Sequence, residues 1–234
     1  MTIEEGSEST SGPAIDPREL SVSVEVLTER LGTIREAIDE CGRHDVEVVA
    51  VTKGFNASAV RAAKELGLTH VGENYAQELI EKSEELSGVT VNFLGRIQRN
   101  KVRKVHEFVD LWQSVARPEI LIEIAKRSAG SSVLIQIQPD GDETKDGIRP
   151  AQLPEMFELA QDHGITIAGL MTIGVLGDRS ATIDCFREVD GLAAEYGVAI
   201  RSMGMSGDFR DALEAGSTML RVGSALFGSR PVTV

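Results

Sequence analysis

Basic residues are in short supply: 24 lysines and arginines stand against 37 aspartates and glutamates, a formal charge of −13 over 234 residues. A field of that sign repels nucleic acid and anionic membrane surfaces, so neither is expected as a partner, and any anion site must be built locally. Cysteine is scarcer still. Cys41 and Cys185 lie far apart, without CxxC spacing or flanking histidines, which argues against a disulfide framework or a zinc site and fits a reducing, cytoplasmic setting. His44, His70, His106 and His163 are scattered, and His106-Glu107 lacks the HExxH spacing, so no metal is expected. No run reaches the ~18 uninterrupted apolar residues that a membrane-spanning helix needs. The first 17 residues, MTIEEGSESTSGPAIDP, have neither the basic start nor the apolar stretch of a signal peptide. Polar and acidic, they read as a disordered leader before a single domain over 18–234.

What is present is a regular alternation. Val22, Val26, Leu27, Leu31, Ile34 and Ile38 recur at helical spacing, predicting an amphipathic helix over 18–41. Then the period changes. Short apolar runs at 46–52, 70–73, 89–95, 109–115, 132–138, 165–173, 199–205 and 217–222 alternate with helical stretches such as 57–66, 75–86, 117–128, 151–163, 180–196 and 207–215. About eight β-then-α units with short connections predict an α/β fold: a single (β/α)8 barrel, or TIM barrel, with an extra N-terminal helix. A doubly wound open sheet is the alternative, disfavoured because no GxGxxG follows the first strand.

In such a barrel chemistry gathers where strands end and loops begin. Those positions here are polar and glycine-rich. The last two loops, SMGMSGD (202–208) and RVGSALFG (221–228), combine Gly204, Gly207 and Gly223 with Ser206 and Ser224 ahead of helix starts whose amides are unpaired. Either loop alone is ordinary turn and cap chemistry, but at the end of strands seven and eight the pair suggests a phosphate cup. The strand VVAVT runs into Lys53. A lysine at a strand end is usually a surface residue, yet one desolvated at a barrel mouth has a lowered pKa and can attack a carbonyl as a free amine. Amine and phosphate cup together fit a ligand with an aldehyde or ketone and a phosphate, such as a sugar phosphate or pyridoxal 5′-phosphate. Arg221, at the end of the last strand and beside the first, could face a pyridine nitrogen or could pair with Glu73.

The motifs AVTK (50–53), GENYAQE (72–78), FLGRIQRNK (93–101), DETKDGI (142–148), GLMTI (169–173), SMGMSGDF (202–209) and GSTMLRVGSALFG (216–228) occur in this order over nearly the whole chain after the leader. They resemble the pyridoxal phosphate homeostasis proteins, a family related to the barrel domain of alanine racemase. The resemblance implies a fold-type III barrel that holds pyridoxal phosphate through a Schiff base on Lys53. It further implies that Arg221 faces the ring nitrogen, that Ser206, Gly223 and Ser224 bind the phosphate, and that Asn74 lies beside the cofactor. Two departures stand out: Asn92 replaces a usual histidine, and Gly54-Phe55 alters the loop next to Lys53.

The expected function is a carrier or buffer of pyridoxal phosphate that supports cofactor and amino-acid pools without efficient turnover. Its partners would be the cofactor and pyridoxal phosphate-dependent apoenzymes, and a monomer is expected. A slow amino-acid racemase is the alternative. Racemisation needs a second acid or base opposite Lys53. Tyr75 and Tyr196 are the only tyrosines, the first expected at a helix start and the second in packing. A phosphosugar aldolase built on the same lysine and cup is a third reading. The basic stretch RIQRNKVRK (96–104) reads as a solvated helix face, with a second anion site or partner surface as the alternative.

Overall fold

Parallel strands separated by helices have only a few ways to bury both faces, and closing the sheet on itself is one. The computed structural model, which describes residues 16–128, 131–139 and 146–230, does this with eight strands in sequence order. They are β1 (Glu47–Val51), β2 (His70–Glu73), β3 (Thr90–Phe93), β4 (Leu111–Val115), β5 (Ser132–Gln136), β6 (Thr166–Met171), β7 (Ile200–Ser202) and β8 (Met219–Val222). The barrel closes where β1 pairs with β8, with Val49 opposite Arg221. Every apolar run read as a strand contains one of these eight.

The helices are α1 (Val24–Glu40), α2 (Ser58–Glu65), α3 (Ala76–Glu81), α4 (Arg99–Val105), α5 (Pro118–Ala125), α6 (Leu153–Asp162), α7 (Arg179–Glu195), α8 (Phe209–Glu214) and the short α9 (Ser224–Phe227). Helix α1 precedes the barrel, as expected, but begins at Val24 and not near residue 18. The segment before it is tied down by Leu20 N donating to Ser58 Oγ and Asn56 N donating to Arg18 O, so its backbone groups are satisfied without a helix. Leu27, Leu31, Ile34 and Ile38 form the buried stripe of α1. Each such side chain contributes about 1.5–3 kcal/mol when fully buried. The helix packs against α9, where Arg30 Nη1 donates to Leu226 O at 3.0 Å. No described helix is long and apolar enough to cross a membrane. Residues 1–15 of the expected disordered leader and the first part of the DETKDGI motif lie outside the described residues, while Asp16, at the leader's end, is held by Arg18 N and Asn56 Nδ2.

Two cores result from strand alternation. Val48, Ala50, Val71, Val91, Phe93, Trp112, Leu220 and Val222 point outward into the layer beneath the helices. Val49, Leu111, Leu134, Met171 and Met219 point inward and fill the barrel. Above them lies a buried polar chain. Arg221 Nη1 donates to Ser202 Oγ (2.9 Å), Ser202 Oγ to Gln113 Oε1 (2.6 Å), and Gln113 Nε2 to Asn92 Oδ1 (2.7 Å). Asn92, the departure noted in the sequence, thus completes a set of satisfied interior hydrogen bonds.

Candidate functional site

The two-residue period of β1 decides where Lys53 points. Val49 faces the barrel interior and Val51 follows it, so the next residue of that series, Lys53, continues inward at the carboxyl end of the strand. There it lines a cavity of about 820 Å³ at the mouth of the barrel. The same parity places Arg221 of β8, Gly223 just beyond β8 and Asn74 just beyond β2 on the cavity side. All six residues singled out from the sequence, Lys53, Asn74, Ser206, Arg221, Gly223 and Ser224, line this one cavity. The basic stretch does not: Arg103 pairs with Glu123 at 2.9 Å, Arg96 with Asp146 at 3.2 Å, and Lys101 donates to the carbonyl of Arg96.

Lys53 is half buried, and its pKa lies below the ordinary lysine value. Burial is the main cause. The positive charges of Arg230 and Arg221 push in the same direction, while Glu73 and Glu78 oppose them. Arg221 is buried, and desolvation lowers its pKa to about 10, so it stays cationic at neutral pH. Its Nη1 donates to Ser202 O (2.6 Å) and Ser202 Oγ, its Nη2 to Thr172 O (2.8 Å), and its Nε has no partner among the described residues. The expected alternative, a pair with Glu73, is not formed. Glu73 lies on the outward face of β2 and binds Lys82 instead, at 2.5 Å.

The two glycine-rich loops meet as expected, with one difference. The hydroxyl of Ser206 accepts from Gly223 N at 3.3 Å and Ala225 N at 2.9 Å, so these helix-start amides are capped by a side chain and not left open. The contact joins the loop after β7 to α9. Phe55 against Phe227, with ring centroids 5.7 Å apart, joins the loop after β1 to the same helix. The three loops around Lys53 therefore form one packed rim. Tyr75 also lines the cavity and is 51% exposed, whereas Tyr196 stacks on Phe157 at 4.8 Å and is packing.

Asn74 is held by close backbone approach. A Cβ on Gly95 would lie 1.9 Å from Asn74 O, so only glycine fits beside this loop. Replacing Gly95 with alanine is expected to force the two loops apart and to destabilise the protein by roughly 1–3 kcal/mol or more. The control is Gly191→Ala in α7, where a Cβ meets nothing within 4 Å. It should stabilise by about 0.5–1 kcal/mol, because alanine loses less backbone entropy than glycine in a helix. Thermal melting should move in opposite directions for the two variants; equal melting points would show that the contact at Asn74 carries no strain.

Several site residues were not read from the sequence. Arg230 lines the cavity, and its stem lies over Gly54, whose φ is +82° and where a Cβ would come within 3.0 Å of Arg230 Cδ. This explains the glycine next to Lys53. Glu78, from α3, accepts from Gly54 N at 2.7 Å, and Lys82 lies behind it. The i,i+4 spacing of Glu78 and Lys82 was the one visible sign of this cluster. Their burial was not visible.

A half-buried amine of lowered basicity, a fixed guanidinium with a spare donor, and a buried, unpartnered Asn74 Oδ1 surround one cavity. Such a set can hold a polar, anionic carbonyl compound and bind it covalently.

Comparison with known proteins agrees with this geometry. The family model described as alanine racemase, N-terminal domain, matches residues 22–231. The pyridoxal phosphate homeostasis protein of Aquifex aeolicus is 35% identical over 222 residues, covering 88% of this chain and 97% of the relative. That of Vibrio cholerae is 33% identical over 232 residues, covering 91% and 97%. Among solved structures, PipY of Synechococcus elongatus with pyridoxal phosphate bound superposes with a TM-score of 0.75 at 32% identity, covering 86% of this chain and all of PipY. Alanine racemase of Clostridium difficile, 16% identical with a TM-score of 0.73 over 89% of this chain and 58% of its own, shares the fold.

Proposed function

The chain belongs to the alanine racemase N-terminal domain family and, within it, to the pyridoxal phosphate homeostasis proteins, and from that premise we propose that it carries or buffers pyridoxal 5′-phosphate through a Schiff base on Lys53. The observation that carries the reading is the inward-facing, desolvated Lys53 amine in a cavity shared with Arg221 and the two glycine-rich loops. When bound, pyridoxal phosphate supplies an aldehyde that condenses with a primary amine, with loss of water, beside an electron-withdrawing ring and a phosphate.

The residues present fit that group. Lys53 offers the amine with its proton already loosened. Arg221, whose guanidinium is fixed by Ser202 and Thr172 and keeps Nε as a spare donor, would hold the ring nitrogen and favour its unprotonated form. Ser206, Gly223 and Ser224 would hold the phosphate, in whose place the Ser206 hydroxyl accepts from the Gly223 and Ala225 amides. Asn74, whose Oδ1 is buried without a partner, would lie beside the cofactor. An arginine holding the ring nitrogen makes the ring a weak electron sink, which suits retention better than turnover. Release to apoenzymes by a monomeric carrier in the cytoplasm belongs to the same reading. A slow racemase is the second reading, favoured by the Tyr75 side chain on the cavity wall. Exchange of an amino acid's α-hydrogen in deuterated water would support it, and no exchange would remove it.

The test is an absorption spectrum of the purified protein with and without added pyridoxal phosphate, followed by borohydride reduction and peptide mapping. A visible chromophore fixed to the peptide containing Lys53 is expected. Trapping of sugar phosphates in its place would instead mark an aldolase. The pH dependence follows from the lowered Lys53 pKa. Only the free amine reacts, and a lowered pKa places more of it at neutral pH, so cofactor uptake should rise with pH around a midpoint below that of ordinary lysine. Stopped-flow absorbance against pH measures it; a midpoint at or above the ordinary value would contradict a desolvated amine.

A further inference from the structure

Lys82 caps the C-terminal end of α3 and is 2% exposed, a burial that an ammonium tolerates only when its charge and protons are met. Its Nζ donates to Glu73 Oε1 at 2.5 Å, to Thr52 O at 2.9 Å and to Glu78 Oε2 at 3.4 Å. Glu73 is 1% exposed, and its Oε1 also accepts a short hydrogen bond from the Thr52 hydroxyl. Glu78 Oε2 accepts in addition from Gly54 N at 2.7 Å. The residues before and after Lys53 are therefore both fastened to one buried cluster, Thr52 through its carbonyl and hydroxyl and Gly54 through its amide. As a pure stabiliser such a cluster gains little over apolar packing. Its position, flanking the one lysine that lines the cavity among the described residues, suggests a different task.

We infer that Lys82 is a positioning residue for Lys53: its buried ammonium holds the backbone on both sides of Lys53 and offsets the charges of Glu73 and Glu78. The inference rests on the role proposed above for Lys53. The charged groups acting on Lys53 are Arg221 from β8, Arg230 from the C-terminal segment, Glu73 from β2 and Glu78 from α3, and Tyr75 at the start of α3 shares the cavity. The two arginines favour the free amine and the two carboxylates favour the ammonium. Without Lys82 the Glu78 carboxylate loses its nearest cation and bears fully on Lys53, favouring the protonated, unreactive form. Glu73, which burial already pushes toward its neutral form, contributes less, and the backbone on both sides of Lys53 loses its common anchor.

The experiment reads Lys53 directly. Full-length protein, freed of carbonyl ligands with hydroxylamine, is labelled with trace acetic anhydride across a pH series, and acetylation of the Lys53 peptide is quantified by mass spectrometry. Lys82→Met should lower the Lys53 labelling rate at neutral pH by about tenfold, the factor that accompanies one unit of pKa, and should move the midpoint upward. Lys82→Arg, which keeps the charge, should recover part of the rate. Glu78→Gln keeps an acceptor for Gly54 N while removing one negative charge, and should move the midpoint downward. A folded Lys82→Met protein with an unchanged Lys53 profile overturns the inference. Should Lys82→Met not fold, Lys82→Arg decides: a shifted Lys53 midpoint in that variant supports the inference and an unchanged one overturns it. The premise fails separately, by a chromophore mapped to a peptide other than that of Lys53 in the unsubstituted protein.

Discussion

Lys53→Ala protein is expected to be colourless with added pyridoxal phosphate and to carry no borohydride-fixed label. The expectation is strong because Lys53 is the one lysine on the cavity wall among the described residues, Lys82 being buried behind it with all three donors engaged. What remains in the variant is the two glycine-rich loops and Arg221, the proposed non-covalent contacts to the cofactor. Retention should fall by on the order of a hundredfold, equivalent to about 2.8 kcal/mol. Stability should barely change, within about 0.5 kcal/mol of the unsubstituted protein, because truncation removes a half-buried cation that sits near Arg221 and Arg230. Equilibrium dialysis, visible absorbance and a thermal melt distinguish the two effects. Undiminished colour in Lys53→Ala would remove this lysine from the proposed role, and a large loss of stability would show that it serves the fold.

Arg221→Met should behave differently, losing stability and cofactor together. The guanidinium is buried and supplies the donors for Ser202 O, Ser202 Oγ and Thr172 O. Methionine fills much of the volume but removes the donor to Thr172 O and Ser202 Oγ, while Ser202 O keeps the Thr172 amide, at about 1–3 kcal/mol for each buried group left unsatisfied. A net loss of roughly 3–5 kcal/mol would lower the melting temperature by on the order of 10 °C for a chain of this size. The disturbance continues inward, because Ser202 Oγ donates a hydrogen bond to Gln113 Oε1, and Gln113 Nε2 donates to Asn92 Oδ1. Arg221→Lys should fall between, since an ammonium keeps the charge but lacks the planar fork that reaches two carbonyls at once. With pyridoxal phosphate added, the absorbance of Arg221→Lys should titrate at a different pH from the unsubstituted protein, because under the proposed function this residue holds the ring nitrogen. If Arg221→Met melts normally, the interior chain carries no weight; if its spectrum and retention are also unchanged, the arginine does not face the ring.

The strands were legible because their signal is local. Each apolar run such as VEVVAVT or SVLIQIQ matches a stretch buried on both faces, and eight of them at regular spacing leave few closures other than a barrel. Lys53 and Arg221 were legible for a related reason: a charged residue that ends or interrupts such a run is conspicuous. Boundaries were less so. The helix expected from residue 18 begins at Val24 because Arg18 and Leu20 find hydrogen-bond partners around the start of α2, contacts that no local pattern announces. The loop serines were recognised, but their present use, with Ser206 capping the amides of Gly223 and Ala225, depends on two segments 17 and 19 residues apart folding against each other.

By itself the sequence determined the order and number of strands, the side of β1 on which Lys53 lies, and the family to which the chain belongs, since these follow from periodicity and from short motifs in a set order. Tertiary structure alone decided which charges meet. Glu73 could have faced Arg221, but the pleat of β2 turns it outward to Lys82 and Thr52, while Arg221 turns inward to Ser202 and Thr172. Arg230 reaches the cavity only because Gly54 adopts a positive φ and leaves room for its stem. Pairing between charges depends on distance and burial after the barrel has closed, and one residue of strand parity is enough to place a carboxylate on either side of the wall.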